Sequence, residues 1–162
     1  MPAFLRTVRR AAVLLVAVML LASTASAEAA ARIALVIGMS KYQNIPTLSN
    51  TVADATEISS TLKTLGFQVQ TSIDQPLADL VATLNRFSFE AETADIAMVY
   101  YAGHGVELGG ENFLIPVDVK ISKPEQIASQ AITLKALLKT VENARKLRVV
   151  ILDSCRNNPF AD

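Results

Sequence analysis

Residues 149–159 read VVILDSCRNNP. Four apolar residues lead straight into Asp153, Ser154 and Cys155, the one cysteine of the chain. A short, unbroken apolar run reads as a strand covered on both faces, the habit of parallel strands lying between helices. Arg156, Asn157, Asn158 and Pro159 read as the loop that leaves this strand and shapes the surroundings of the thiol. A thiol at such a junction is fixed by a rigid element yet faces whatever lies beyond the sheet.

Upstream, strands and helices alternate. Residues 95–102 (DIAMVYYA) read as a strand broken by Gly103-His104-Gly105, and residues 106–116 as a hairpin turning at Gly109-Gly110. Residues 32–38 (RIALVIG) form the first apolar run, followed by a polar loop that contains Pro46. Val52, Ala55, Ile58, Leu62 and Leu65 recur at helical spacing, with Asn50 or Thr51 able to cap the start and Gly66 to end the helix. Residues 67–72 alternate as a second strand. Asp74 and Pro76 open a second helix with Leu77, Leu80, Val81, Leu84 and Phe87 on one face. Leu134, Leu137, Leu138 and Val141 mark a third helix before the strand at residues 147–152. This order predicts an α/β domain with a mainly parallel sheet and helices on both faces.

The 162 residues suit a single domain after an N-terminal leader. Arg6, Arg9 and Arg10 precede the apolar residues 11–22, and Ala25-Ser26-Ala27 forms a small-x-small cleavage site. Residues 1–27 therefore read as a signal peptide, residues 28–162 as the domain, and the product as exported, either periplasmic or secreted. The apolar run is shorter than the roughly 20 residues that span a bilayer; an uncleaved anchor is the alternative. Residues 28–162 carry 12 basic against 15 acidic side chains, a net charge of −3. With no basic patch, nothing points to nucleic acid. No second spanning segment points to a membrane once the leader is removed.

One Cys excludes an internal disulfide, leaving an intermolecular bridge, an inert buried thiol or a reactive one. A single His beside it speaks against a zinc cluster, and no metal or other cofactor is expected. Ligands of open parallel sheets bind beyond the carboxyl ends of the strands. His104 follows one such strand and Cys155 another, so neighbouring strands would bring both to one edge. There the imidazole can take the thiol proton, and the thiolate can act as nucleophile. The amides of Gly105 and Cys155 can then face a developing oxyanion. The bland alternatives are a His that caps a turn and a Cys that packs as a small hydrophobe. Glu107, Asn112 and Asp118 either line a cleft or are solvated. Residues 37–42 (IGMSKY) hold too little glycine to cradle a phosphate.

YYAGHG at residues 100–105 and LDSCRNNP at residues 152–159, with RIALVIGMSKY and TLGFQV upstream, resemble the caspase-like cysteine peptidases. That clan holds caspases, metacaspases and bacterial relatives. In the caspase signature the His lies roughly 50 residues before the Cys; here the separation is 51. The resemblance spans residues 32–160 and implies a caspase-like three-layer sandwich acting on a peptide or protein substrate. It implies His104 as general base, Cys155 as nucleophile and Gly105 as part of the oxyanion hole. Asp153 would occupy the place that in metacaspases shapes an acidic pocket for Arg or Lys. Arg32 stands where caspases keep an Arg for acidic substrates, and the two could neutralise each other; alternatively Arg32 is an ordinary solvated strand end. Cleavage after Arg or Lys is the expectation.

The sheet of this clan continues after the nucleophile, so a chain ending at Asp162 reads as a fragment or truncated product. Its last strand would be a raw edge that invites self-association. A caspase-like scaffold that binds partners without cutting is the principal rival, and a small-molecule hydrolase with the same sheet is another.

Overall fold

The computed structural model describes residues 30–154. The expected leader, Cys155, Arg156, Asn157 and Asn158 lie outside the described residues. In chain order the elements are β1 (Arg32–Gly38), α1 (Thr51–Thr64), β2 (Gln68–Ile73), α2 (Leu77–Ala91), β3 (Ile96–Ala102), β4 (Gly105–Leu108) and β5 (Glu111–Leu114). After a 3-10 turn at Pro124–Gln126 come α3 (Ile127–Gln130), β6 (Ile132–Thr133), α4 (Leu134–Lys139) and β7 (Leu147–Asp153).

The larger sheet runs β2-β1-β3-β7 with every neighbouring pair parallel. The chain steps from β1 out to β2, then crosses back over β1 to β3. Such crossovers keep one hand, so reversing direction sends the two helices to opposite faces. The side chains follow. Ala34 and Val36 of β1 pack with Ala55 and Leu62 of α1, while Ile33, Leu35 and Ile37 pack with Leu80, Leu84 and Phe87 of α2. Leu137 of α4 joins the α2 side. The result is a three-layer α/β sandwich, and β1 and β3 are apolar throughout because both of their faces are covered.

The chain turns of the sequence reading are present. Gly66 has φ +81; its N–H reaches the carbonyl of Lys63, and Phe67 N–H that of Leu62, which closes α1 with a Schellman motif. Gly109 and Gly110 have φ +62 and +83 between β4 and β5, the signs a two-residue hairpin turn requires. Short β6, which pairs with β5, and α3 were too brief for periodicity to reveal.

Several details differ from the sequence reading. Strand β7, expected to be covered on both faces, buries none of its residues fully and leaves Leu147, Ile151 and Leu152 exposed, because it forms the edge of the sheet in the described residues. Val81 is 39% exposed and Leu138 48% exposed. In α2 the buried stripe is Leu80, Leu84, Phe87 and Ala91, and Val81 falls on its flank. Helix α4 has six residues, and Leu137 takes its single fully buried place. Neither Asn50 nor Thr51 caps α1 through its side chain; Thr51 Oγ1 instead donates to the carbonyl of Met39 at 2.8 Å.

That bond draws α1 tightly over the end of β1. A Cβ on Gly38 would lie 2.9 Å from Ala55 Cβ and 3.0 Å from the Thr51 carbonyl. Helix backbone cannot yield as a side-chain tip can. Gly38→Ala should therefore cost about 1–3 kcal/mol through overpacking, read as a lower urea midpoint with unchanged slope.

Candidate active site

The carboxyl ends of β1, β3 and β7 are tied together by main-chain bonds. Met39 N–H donates to the Ala102 carbonyl at 2.8 Å, and Gly103 N–H donates to the Asp153 carbonyl at 3.3 Å. Ala102 stands opposite Asp153 in the β3–β7 register. His104 thus emerges beside the end of β7, where Asp153 stands two residues before Cys155 in sequence.

The main chain of His104 is held on both sides. Its N–H donates to Tyr42 Oη at 2.8 Å. Its carbonyl accepts from Tyr101 Oη at 2.8 Å and from Ile115 N–H at 3.1 Å. Tyr101 is fully buried in β3, and its hydroxyl also accepts from Ile115 N–H at 3.2 Å. Glycine precedes His104 for a steric reason: a Cβ on Gly103 would lie 2.6 Å from Tyr101 Oη and 2.8 Å from Tyr42 Oη. The imidazole reaches across to the β1–α1 loop, where Nε2 sits 2.8 Å from the Pro46 carbonyl oxygen. A carbonyl oxygen only accepts, so Nε2 carries the hydrogen. In the neutral ring Nδ1 is then the basic nitrogen.

Two carboxylates gather on the α1 face of the same edge. Tyr100 Oη donates to Asp153 Oδ2 at 3.0 Å. Burial, this bond and the charges of Asp153 and Asp54 push the Tyr100 hydroxyl up to about 12. Asp54 lies in the first turn of α1. The sequence reading missed it. The signal available was topological: in a parallel sheet the helix after β1 begins at the carboxyl edge, so an acid in its first turn belongs there.

Arg32 does not join them. It opens β1 opposite Ile96, at the amino end of β3, whereas Asp153 stands opposite Ala102 at the carboxyl end. Six residue steps along a strand separate these ends by about 20 Å. Arg32 Nη1 instead donates to the Leu65 carbonyl at the end of α1. A substrate role for Arg32, and its neutralising Asp153, are therefore not supported by where it sits.

Of the hairpin residues, Asp118 Oδ1 accepts from Leu77 N–H and so serves the start of α2. Glu107 and Asn112 face each other across β4 and β5. Asn112 lines a cavity of about 220 Å³ with Gly105, Phe113, Leu134, Leu152 and Ser154. Gly105 and Ser154 place that cavity against the His104 edge. Among the described residues no group of three or more His, Cys, Asp or Glu side chains could hold a metal ion.

The caspase-domain family matches residues 31–162, both the sheet edge just described and the segment after it. The chain belongs to that family. It is a family of cysteine peptidases. Human mucosa-associated lymphoid tissue lymphoma translocation protein 1 and its mouse homolog are each 30% identical to it over 134 residues. Those matches cover 81% of this chain and 16% of each relative, so the chain spans about a sixth of the length of the curated relatives it matches.

The tyrosines of this caspase domain carry a pH signature. Burial pushes Tyr42 up to about 12, like Tyr100, and also raises Tyr101 well above its ordinary 10.0. Below pH 10 both folded and unfolded chains keep these protons, and the stability is fully present. Between pH 10 and 12 the unfolded chain releases them while the folded chain does not, so stability falls as pH rises. The slope is about 1.4 kcal/mol per pH unit for each such tyrosine. Urea midpoints between pH 9 and 12 should show the decline, and Tyr42→Phe should flatten it by one tyrosine's share.

Proposed function

We propose that this protein is a cysteine endopeptidase that cuts after Arg or Lys. The observation that carries the reading is the fixed imidazole of His104. With Nε2 tied to the Pro46 carbonyl, Nδ1 remains as the base at the carboxyl edge of the sheet. His104 Nδ1 takes the proton of the Cys155 thiol, and the thiolate sulfur attacks the scissile carbonyl carbon. Gly105 stands opposite Leu114, one step from the Ile115 N–H to His104 carbonyl bond. Hydrogen-bonded and unbonded pairs alternate in an antiparallel ladder, so the Gly105 N–H is left to meet the oxyanion. The imidazolium returns its proton to the leaving amine. Water, deprotonated by His104, then attacks the acyl-enzyme and restores the thiol.

Asp153 and Asp54 support the basic preference. Two carboxylates on one face favour a guanidinium or ammonium side chain, and Tyr100 orients Asp153 while leaving its second oxygen to accept. We also propose that residues 1–27 direct export, testable by amino-terminal sequencing of the exported product.

Iodoacetamide should alkylate Cys155 rapidly near neutral pH, and His104→Ala should slow it. A thiol that stays inert in the folded full-length protein would sink the enzyme reading and leave a protein-binding scaffold. For specificity, fluorogenic peptides with Arg or Lys before the scissile bond should be preferred. Asp153→Asn should lower kcat/KM on them about ten- to a hundred-and-fifty-fold, the worth of a charge-assisted bond, while alkylation persists. A dominant preference for Asp would overturn the basic assignment.

A further inference from the structure

Tyr42 touches His104 in two ways. Its hydroxyl accepts the His104 main-chain N–H at 2.8 Å. Its ring also lies against the imidazole, with centroids 4.7 Å apart and planes tilted by 51°. The first contact requires only an acceptor at that point. The second sets an aromatic ring beside a side chain that becomes a cation each time it takes a proton. A cation within about 6 Å of a ring centroid is attracted by the ring quadrupole. Tyr42 is 5% exposed, so it does not meet substrate directly. Its hydroxyl, pushed up to about 12, stays neutral over the range in which imidazole titrates.

We infer that Tyr42 is a positioning residue for the general base: its ring backs the His104 imidazole and favours the protonated form, while the Pro46 carbonyl fixes Nε2. The inference rests on His104 and Cys155 being base and nucleophile. Pro46 O and the Tyr42 ring both meet the imidazole from the β1–α1 loop. The titratable groups of this network are Tyr42 and Tyr101, both bonded to the His104 main chain, and Asp74, whose charge acts on Tyr42. Asp74 belongs to the turn after β2, and its carboxylate holds the Ser40 and Lys41 amides. From β7, the Asp153 carbonyl holds Gly103. None of these places a second ring on the imidazole.

The test is a ring series in the full-length protein, read by the pH profile of Cys155 alkylation and by kcat and KM separately. Tyr42→Phe keeps the ring and should keep the profile, although it loses the main-chain bond. Tyr42→Leu removes the ring. Its alkaline limb should move to lower pH and kcat should fall about three- to thirty-fold, with KM unchanged. Should the Leu variant not fold, a ring-fluorinated phenylalanine at position 42 keeps the shape and drains the quadrupole. It should reproduce the shifted limb. A fluorinated ring that behaves as Phe does overturns the inference and leaves Tyr42 a packing residue. His104→Ala separates the two ideas. If alkylation ignores that change, the dyad itself fails and the inference falls with it. If alkylation slows in His104→Ala but ignores the ring series, only the role of Tyr42 fails.

Discussion

The carboxyl edge of the sheet depends on the missing side chain of Gly103. Two tyrosine hydroxyls, one from β3 and one from the β1–α1 loop, converge on the space a Cβ would fill. Each then bonds the main chain of the next residue, His104. The His104 imidazole is therefore positioned by its backbone before its side chain makes any bond. The cost of this arrangement is two hydroxyls in an apolar setting, which is tolerable because both are hydrogen-bonded. Among the described residues no buried side-chain polar atom lacks a partner.

The parallel topology divides that edge into two chemically different sides. Alternation along β7 turns Asp153 toward the α1 face, where Tyr100 and Asp54 meet it. Leu152 and Ser154 line the uncharged cavity beside Gly105. One strand of period two thus serves a charged and an uncharged wall at once. Asp74 contributes from a further loop: at φ +49 it is the non-glycine residue among those described with a left-handed backbone, and its carboxylate ties down Ser40 and Lys41 beside Tyr42.

Much of this was legible in the sequence because the decisive signals were local. The runs at residues 32–38 and 95–102 are apolar without alternation, which only a doubly covered strand explains. Gly109-Gly110 and Gly66 announce turns by their freedom at positive φ. What failed needed distance. Arg32 was judged by its place in a motif, but a strand carries its first residue about 20 Å from its last. Asp54 and Tyr42 were hidden because each reaches the edge through a loop or helix start rather than through a strand. Val81 and Leu138 were misassigned because a stripe of period 3.6 has flanks, and α4 is too short to bury more than one of its leucines fully. The family match over residues 31–162 agrees with the motif-level resemblance, which rested on residues 100–105 and 152–159.

The hydrogen bonds of His104 have a consequence for the order of folding. Tyr42, Pro46, Tyr101 and Ile115 all precede β7, which pairs with β3 across 51 positions of sequence. The His104 segment and its supports can therefore assemble before the strand leading to Cys155 has docked. Closing β7 onto β3 is a long-range step, the kind that folds late. The order of folding thus works as a timer: the scaffold of the proposed base is in place before the proposed nucleophile reaches it.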